Sequence, residues 1–331
     1  MPFGNRIWKA ISSRAGKAGS RMLRIRYGSC AVLLYHRVAN LHTDPQLLAV
    51  SPENFDMHLA VLNSGFHLLT VAGFKEHLRT RKKFPAKSVL ITFDDGYADN
   101  FQQALPILAS HRAEALFYIC TGNIGTDHEF WWDELERLLL CHEKFPSSFL
   151  IKINGKSYSS SDSILSRTKM YSELLPTLRN MDFIAREKIF SEIRALLPFS
   201  APRESHRSVN ELELKEMSKS PFVTIGAHTV NHCSLNALES DEQRAEIQKS
   251  IFTIEKLTGN VVKDFSFPFG TDKDFSKTTI GICKESGMEF VSANIPGCVH
   301  AKSDNYSLRR FLVRDWDAHD FHRQLNSFFN R

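Results

Sequence analysis

Short runs of branched and aromatic residues recur along the chain, and several of them stop abruptly on a histidine or an aspartate. Residues 31–35 (AVLLY) stop at His36, residues 89–93 (VLITF) stop at Asp94 and Asp95, and residues 222–225 (FVTI) lead through Gly226 and Ala227 to His228. Residues 115–119, 265–267 and 290–292 share this apolar character. Runs that are apolar at every position suit strands covered on both faces, which is the condition of a parallel sheet. Helical periodicity fills the intervals, at 52–63, 100–111, 241–257 and 276–285, with Ser240 or Asp241 placed to cap the longest helix and Gly259 to end it. Alternating strands and helices predict a parallel α/β architecture. In a closed barrel of this kind the strand C-termini open on one face, where active sites sit. His36, Asp94, Asp95 and His228 are therefore expected to meet there, although nearly two hundred positions separate the first from the last.

One stretch breaks the alternation. From about 130 to 207 the chain reads mainly as helices: Trp131, Trp132, Leu135, Leu138 and Leu139 form one apolar stripe, 170–180 and 183–197 give two more, and a polar patch at 156–162 separates the first from the rest. The expectation is one barrel over 29–331 carrying a helical insertion, since barrels of this kind run to about 250 residues and longer with insertions. The adjacent tryptophans are expected to pack the insertion onto its host rather than to stack sugar rings.

Charge is distributed unevenly. The net charge of the 331 residues is +5, yet residues 1–28 carry seven Lys or Arg and no Asp or Glu, interleaved with Ile7, Trp8, Ile11, Met22, Leu23 and Ile25. Such a segment is either a solvated leader or a peripheral contact with an anionic membrane surface. It holds no apolar run long enough for a signal peptide or a membrane span. Outside it the charge is nearly balanced and no nucleic-acid-binding motif occurs, which argues against a nucleic-acid partner. The six cysteines lack CxxC spacing, so free buried thiols in a reducing compartment are expected, in the cytoplasm or at the inner face of the membrane.

The chemistry concentrates in two segments. In Thr92-Phe93-Asp94-Asp95-Gly96-Tyr97, two adjacent carboxylates leave an apolar strand, where mutual repulsion and desolvation call for a cation or a catalytic purpose. Alternation along a strand would send them to different sides and different work; the alternative is an Asp-Asp-Gly turn capping the next helix. In Gly226-Ala227-His228-Thr229-Val230-Asn231-His232, two histidines at i and i+4 would be neighbours on a helical turn and could reach one ion, or else face solvent. Asp95, His228 and His232 together make a two-histidine, one-carboxylate set with positions left open. Zinc is the expected divalent metal, with cobalt, nickel, manganese and iron also compatible.

TFDDGY at 92–97, HTVNH at 228–232 and FSFPFG at 265–270, in that order, resemble the polysaccharide deacetylases that share the NodB homology domain, the carbohydrate esterases of family 4. The resemblance runs from about 30 to 313 and leaves out the insertion. It implies a distorted (β/α) barrel, Asp94 as general base, and Asp95, His228 and His232 as metal ligands. It also implies a substrate groove lined by Phe267, Pro268, Phe269 and Gly270, with Tyr97 and Arg310 among the substrate-binding residues. Two departures stand out. The third motif lacks the arginine that orients the base in many members, for which Arg310 or Arg314 is a candidate replacement, and the late Leu-x-His motif that supplies the general acid is absent. Tyr35-His36-Arg37-Val38 resembles the Tyr-His motif of a subgroup related to exopolysaccharide deacetylases, which implies His36 as the acid; the alternative is a histidine that only hydrogen-bonds the rim.

The implied reaction is hydrolysis of the acetamide of an N-acetylated amino sugar, within a polysaccharide or a glycan intermediate of cell-envelope or exopolysaccharide synthesis. Asp94 would take a proton from water, His36 would give one to the departing amine, and the cation would polarise the carbonyl. The same site would serve a deacylase or deformylase of a lipid-linked sugar, a substrate that fits the basic segment. The missing third-motif arginine keeps a catalytically silent carbohydrate-binding relative in view.

Overall fold

The computed structural model describes residues 28–142 and 144–330; the basic segment, apart from Gly28, lies outside them. The apolar runs form the strands Cys30–Tyr35, Ser88–Phe93 and Ala115–Ile119, buried at every residue, as their lack of alternation requires. Along the main sheet the order is Phe290–Ser292, Asp264–Ser266, Val223–Ala227, Ala115–Ile119, Ser88–Phe93, Cys30–Tyr35 and Phe311–Leu312, with His67–Leu68 pairing Ser88–Phe93 off this path. Every pairing is parallel.

Register decides where the polar stops emerge. Tyr35 pairs with Phe93, and Ile119 with Ala227. Backbone bonds continue one residue further, from Asp94 N–H to the Tyr35 carbonyl and from His228 N–H to the Ile119 carbonyl, both at 3.0 Å. Strands that end level deliver His36, Asp94, Asp95 and His228 to one rim. The ring closes irregularly: Leu308, just before the last strand, bridges Ser292 in parallel and donates its N–H to the Val291 carbonyl at 2.9 Å. The result is a distorted barrel with surrounding helices, the form that the family resemblance implies for the parallel α/β architecture predicted from the strand–helix alternation.

The interior is packed with aromatic rings. Phe93 stacks on Phe117 at 4.7 Å and on Tyr35 at 5.3 Å between centroids, each such side chain contributing about 1.5–3 kcal/mol through burial. Two helices differ in detail from expectation. The long one, Ser240–Thr258, is capped by Glu239 in a reciprocal box with Glu242 rather than by Ser240 or Asp241, and ends on Gly259 at φ 73°. Residues 100–111 form a π turn, Asn100–Ala104, followed by an α segment, Leu105–Ser110. Pro106 has no N–H to complete a regular α ladder, and a π turn absorbs that loss.

The insertion is less helical than its composition suggests. Helices Trp131–Leu139, Ile164–Arg179 and Phe183–Leu196 are accompanied by an antiparallel hairpin, Phe149–Ile153 with Lys156–Ser160. Its tip, Asn154-Gly155, has φ of 49° and 78°, the positive pair that a two-residue hairpin turn needs. Phe149, Ile151 and Ile153 face inward in alternation and join Leu135, Leu174 and Phe190 in a second apolar core, to which the barrel lends Tyr97 and Cys120. Among the described residues no helix is long and apolar enough to cross a membrane. All six cysteines are free; Cys141 is exposed, contrary to the expectation that the thiols are buried.

Candidate active site

The two adjacent carboxylates do point to different work, but not through strand alternation. The strand ends at Phe93, and Asp95 and Gly96 take left-handed φ of 73° and 83°. A left-handed aspartate is an uncommon conformation that surrounding structure must hold in place. Asp94 is gripped from behind. Arg310 donates Nη1 to Oδ1 and Nη2 to Oδ2, both at 2.7 Å, and Ser266 Oγ donates to Oδ2 at 3.2 Å. Arg310 is itself fixed, through Nη2 to Ser266 Oγ at 2.7 Å and Nε to the Ala293 carbonyl at 3.2 Å. Burial alone would raise the Asp94 carboxyl, yet the Arg310 charge and hydrogen bonds more than offset it and hold Asp94 below the usual carboxylate range.

Asp95 faces the histidines. Its Oδ1 lies 3.5 Å from His228 Nε2 and 3.3 Å from His232 Nε2. His228 Nδ1 sits 2.7 Å from the Ser266 carbonyl, an acceptor, so that nitrogen carries the proton and Nε2 turns a lone pair toward Asp95. Acceptors converge here, and Asp95 Oδ1 is buried with no hydrogen-bond partner. Three ligand atoms, one each from Asp95, His228 and His232, lie within 4.8 Å of one another. An orphaned carboxylate oxygen between two imidazoles, one of them oriented by the Ser266 carbonyl, is the arrangement a divalent cation resolves, so the residues present fit one. The i, i+4 spacing does not work through a helical turn. The segment is irregular, with Thr229 at φ 66° and His232 at φ 49°, and a loop folding back rather than a helix brings the second imidazole inward.

His36 lines the same pocket, of about 240 Å³, together with Asp94, Asp95, His228 and His232. Its Nδ1 is buried without a partner, and its backbone carbonyl accepts from the Asn100 side chain at 2.9 Å. Burial lowers the His36 pKa, and the Asp95 and Asp94 charges offset this only in part.

Of the residues expected along the substrate groove, the structure brings Phe269 to the pocket and leaves others behind it. Phe269 lines the wall and meets the His232 ring at 4.7 Å. Phe267 instead stacks on Phe275 at 4.1 Å inside the barrel core. Pro268 and Gly270 are not among the lining residues; Gly270, at φ 64°, packs so close to the Asn294 backbone that a Cβ would collide at 2.6 Å. Tyr97 is fully buried, its hydroxyl donating to Asp133 at 2.7 Å. Of the two arginines offered in place of the missing third-motif arginine, Arg310 is the one that grips Asp94, from behind and without lining the pocket as a substrate-binding residue would, while Arg314 lines the pocket and does not touch Asp94.

Sequence reasoning missed Trp132 and Arg179 as lining residues. Trp132 is buried against the insertion, as expected, but one face also meets the His232 ring at 4.5 Å. Arg179 reaches the pocket from helix Ile164–Arg179 and lies 4.1 Å over the Phe269 ring. Neither has a local sequence signature, because the tertiary fold alone brings the insertion over the rim.

Known proteins give a consistent picture. The family model described as polysaccharide deacetylase matches residues 81–140 and 198–291. The Bacillus subtilis protein YxkH, assigned by name to the polysaccharide deacetylases, is 21% identical over 283 residues, covering 85% of this chain and 70% of that protein. The poly-β-1,6-N-acetyl-D-glucosamine N-deacetylase of Staphylococcus aureus is 29% identical over 122 residues, 33% of this chain and 41% of the enzyme. Among solved structures, the Streptococcus pyogenes deacetylase PplD in complex with acetate superposes with a TM-score of 0.59 at 18% identity, covering 90% of this chain and 99% of that one. IcaB from Ammonifex degensii superposes with a TM-score of 0.58 at 18% identity, over 92% and 97%. These two likenesses show a shared fold.

Proposed function

We propose that the chain is a hydrolase of the polysaccharide deacetylase family, metal-dependent, that removes N-acetyl groups from an amino sugar. The substrate is a polysaccharide or a glycan intermediate of cell-envelope or exopolysaccharide synthesis. The observation that carries this reading is the division between neighbours: Asp95 Oδ1 faces two imidazole Nε2 atoms at 3.5 and 3.3 Å, while Arg310 clamps both oxygens of Asp94 at 2.7 Å.

Asp95, His228 and His232 hold the cation, which when bound supplies Lewis acidity to the acetamide carbonyl and to the attacking water. Asp94, kept ionised by Arg310, accepts the proton of that water. His36 protonates the departing amine, which would otherwise be a poor leaving group. Its lowered pKa makes the imidazolium a stronger donor, at the cost of a smaller protonated fraction. Trp132 and Phe269 flank His232 and shield the site from bulk water.

Arg314 favours a second reading of the substrate. Its guanidinium lines the pocket and bonds the backbone carbonyls of Gln46 and Leu47 rather than a carboxylate, which suits a sugar bearing phosphate, as in a lipid-linked intermediate. Acetate release from N-acetylglucosamine oligomers, measured with chelated and with zinc-reloaded protein, tests the main reading. Release that stops on chelation and returns with zinc supports it. No release from neutral oligomers, with metal-dependent release from a phosphorylated N-acyl sugar, supports the second reading instead.

A further inference from the structure

The insertion carries a second cluster of metal-ligating side chains, away from the pocket. Asp133 and Glu136 stand one turn apart on helix Trp131–Leu139, and His206 approaches from the segment that returns to the barrel. Their ligand atoms lie within 4.8 Å of one another. All three residues are buried, at 6%, 3% and 4% exposure. His206 Nε2 has no hydrogen-bond partner, and Glu136 Oε1 has only a long contact to Arg203 Nη1 at 3.5 Å. Leaving even one buried acceptor unpaired costs about 1–3 kcal/mol, so a cluster of them points to something bound.

The nearby arginines supply only part of the charge that the cluster needs. Arg37 is bound to Asp99 at 2.9 Å, Arg203 to Glu129 at 2.7 Å, Arg137 to Glu129 and Glu134 at 2.7 and 3.1 Å, and Arg194 to Glu134 and Glu187 at 2.7 and 3.3 Å. Those four guanidiniums match four other carboxylates. Arg203 Nη1 does come within 3.5 Å of Glu136 Oε1, but its Nε is committed to Glu129. Six carboxylates, Asp133 and Glu136 among them, therefore share four guanidiniums. One imidazole and two carboxylates, buried and drawn together with ring and carboxylate atoms left over, are a donor set that a cation satisfies.

We propose that Asp133, Glu136 and His206 bind a second divalent transition-metal ion, held for structure rather than catalysis. One imidazole and two carboxylates form a donor set suited to zinc or manganese. The ion ties the first helix of the insertion to the segment 204–206. Through that helix it also fixes the pocket wall, because the Tyr97 hydroxyl that donates to Asp133 accepts from the Trp132 indole at 2.8 Å.

The test is metal content after zinc reconstitution and gel filtration, by inductively coupled plasma mass spectrometry. Two equivalents in the wild type are expected, and one each in Asp95→Asn, His206→Gln and Glu136→Gln. A wild type with one equivalent, lost in Asp95→Asn and kept in His206→Gln, overturns the proposal. Because substitution in the cluster can loosen the insertion, a second measurement uses the intact cluster. In Asp95→Asn, zinc is expected to raise the Tm, and in Asp95→Asn/His206→Gln it is not. No rise in Asp95→Asn overturns the proposal. Neither readout involves turnover, so the outcome is independent of the deacetylase reading.

Discussion

The barrel rim and the insertion both line the pocket, yet they hold their contributions in different ways. On the rim, Asp94, Asp95, His228 and His232 are all nearly inaccessible, and their positions follow from strand register and from tight left-handed turns. Arg310 behind them has no exposure at all. From the insertion, Arg179 arrives at a helix end with 31% of its side chain exposed, paired to Asp274 of the barrel at 2.5 Å. Trp132 is anchored by a hydrogen bond to Tyr97 and presents a ring face. Groups pinned this way on the rim suit bond-making, where a small displacement is costly. Groups carried by a separately cored lobe suit recognition. Rim substitutions are therefore expected to act on kcat and insertion substitutions on KM, and the following experiments press on that division.

The largest effect is expected from Arg310→Met. It leaves the Asp94 carboxylate buried without its cation, a loss of about 3–5 kcal/mol in unfolding free energy by chemical denaturation. The pH profile carries the sign. Asp94 is held below its ordinary range, so its contribution to stability is present above the unfolded value and is lost as the pH falls through the folded one. With the guanidinium gone, burial is unopposed, and the acid limb of kcat is expected to move to higher pH. An unchanged limb would mean that Arg310 is only a packing residue.

His36→Gln comes next, with kcat for an N-acetyl substrate lowered on the order of 10²-fold. An activated O-acetyl ester, whose leaving group needs no proton, is expected to be hydrolysed at nearly the wild-type rate. Equal losses on both substrates would remove His36 from the acid role. Trp132→Ala is the smallest of the three: KM raised about 10-fold, the equivalent of about 1.4 kcal/mol, with kcat little changed. A kcat collapse with normal metal content would break the comparison between rim and insertion.

The barrel was legible in the sequence because its strands carry their signal locally. Runs such as VLITF are apolar throughout, and a histidine or aspartate at the end of each marks the rim. The clustering of Asp95, His228 and His232 was legible for the same reason, although the histidine spacing suggested a helical turn where the chain uses left-handed loop residues. Arg310 shows the limit: the sequence offers it and Arg314 alike as the arginine that orients Asp94, and nothing in either neighbourhood says which one reaches a partner 216 positions away. Only the folded sheet, which sets the strand Phe311–Leu312 beside Cys30–Tyr35, turns its guanidinium toward the base. The hairpin in the insertion is a different kind of omission. Asn154-Gly155 between alternating apolar residues is a strong local turn signal, outweighed by the helical stripes around it. Trp132 and Arg179 had no such signal, since their place at the pocket depends on how the insertion docks.

The most direct test of the account compares the two neighbouring carboxylates for metal content and turnover. Asp94→Asn is expected to keep the wild-type metal content and to release acetate on the order of 10³-fold more slowly, while Asp95→Asn loses one equivalent of metal together with activity. Near-normal turnover in Asp94→Asn, or full metal content and rate in Asp95→Asn, would contradict the division of labour between them.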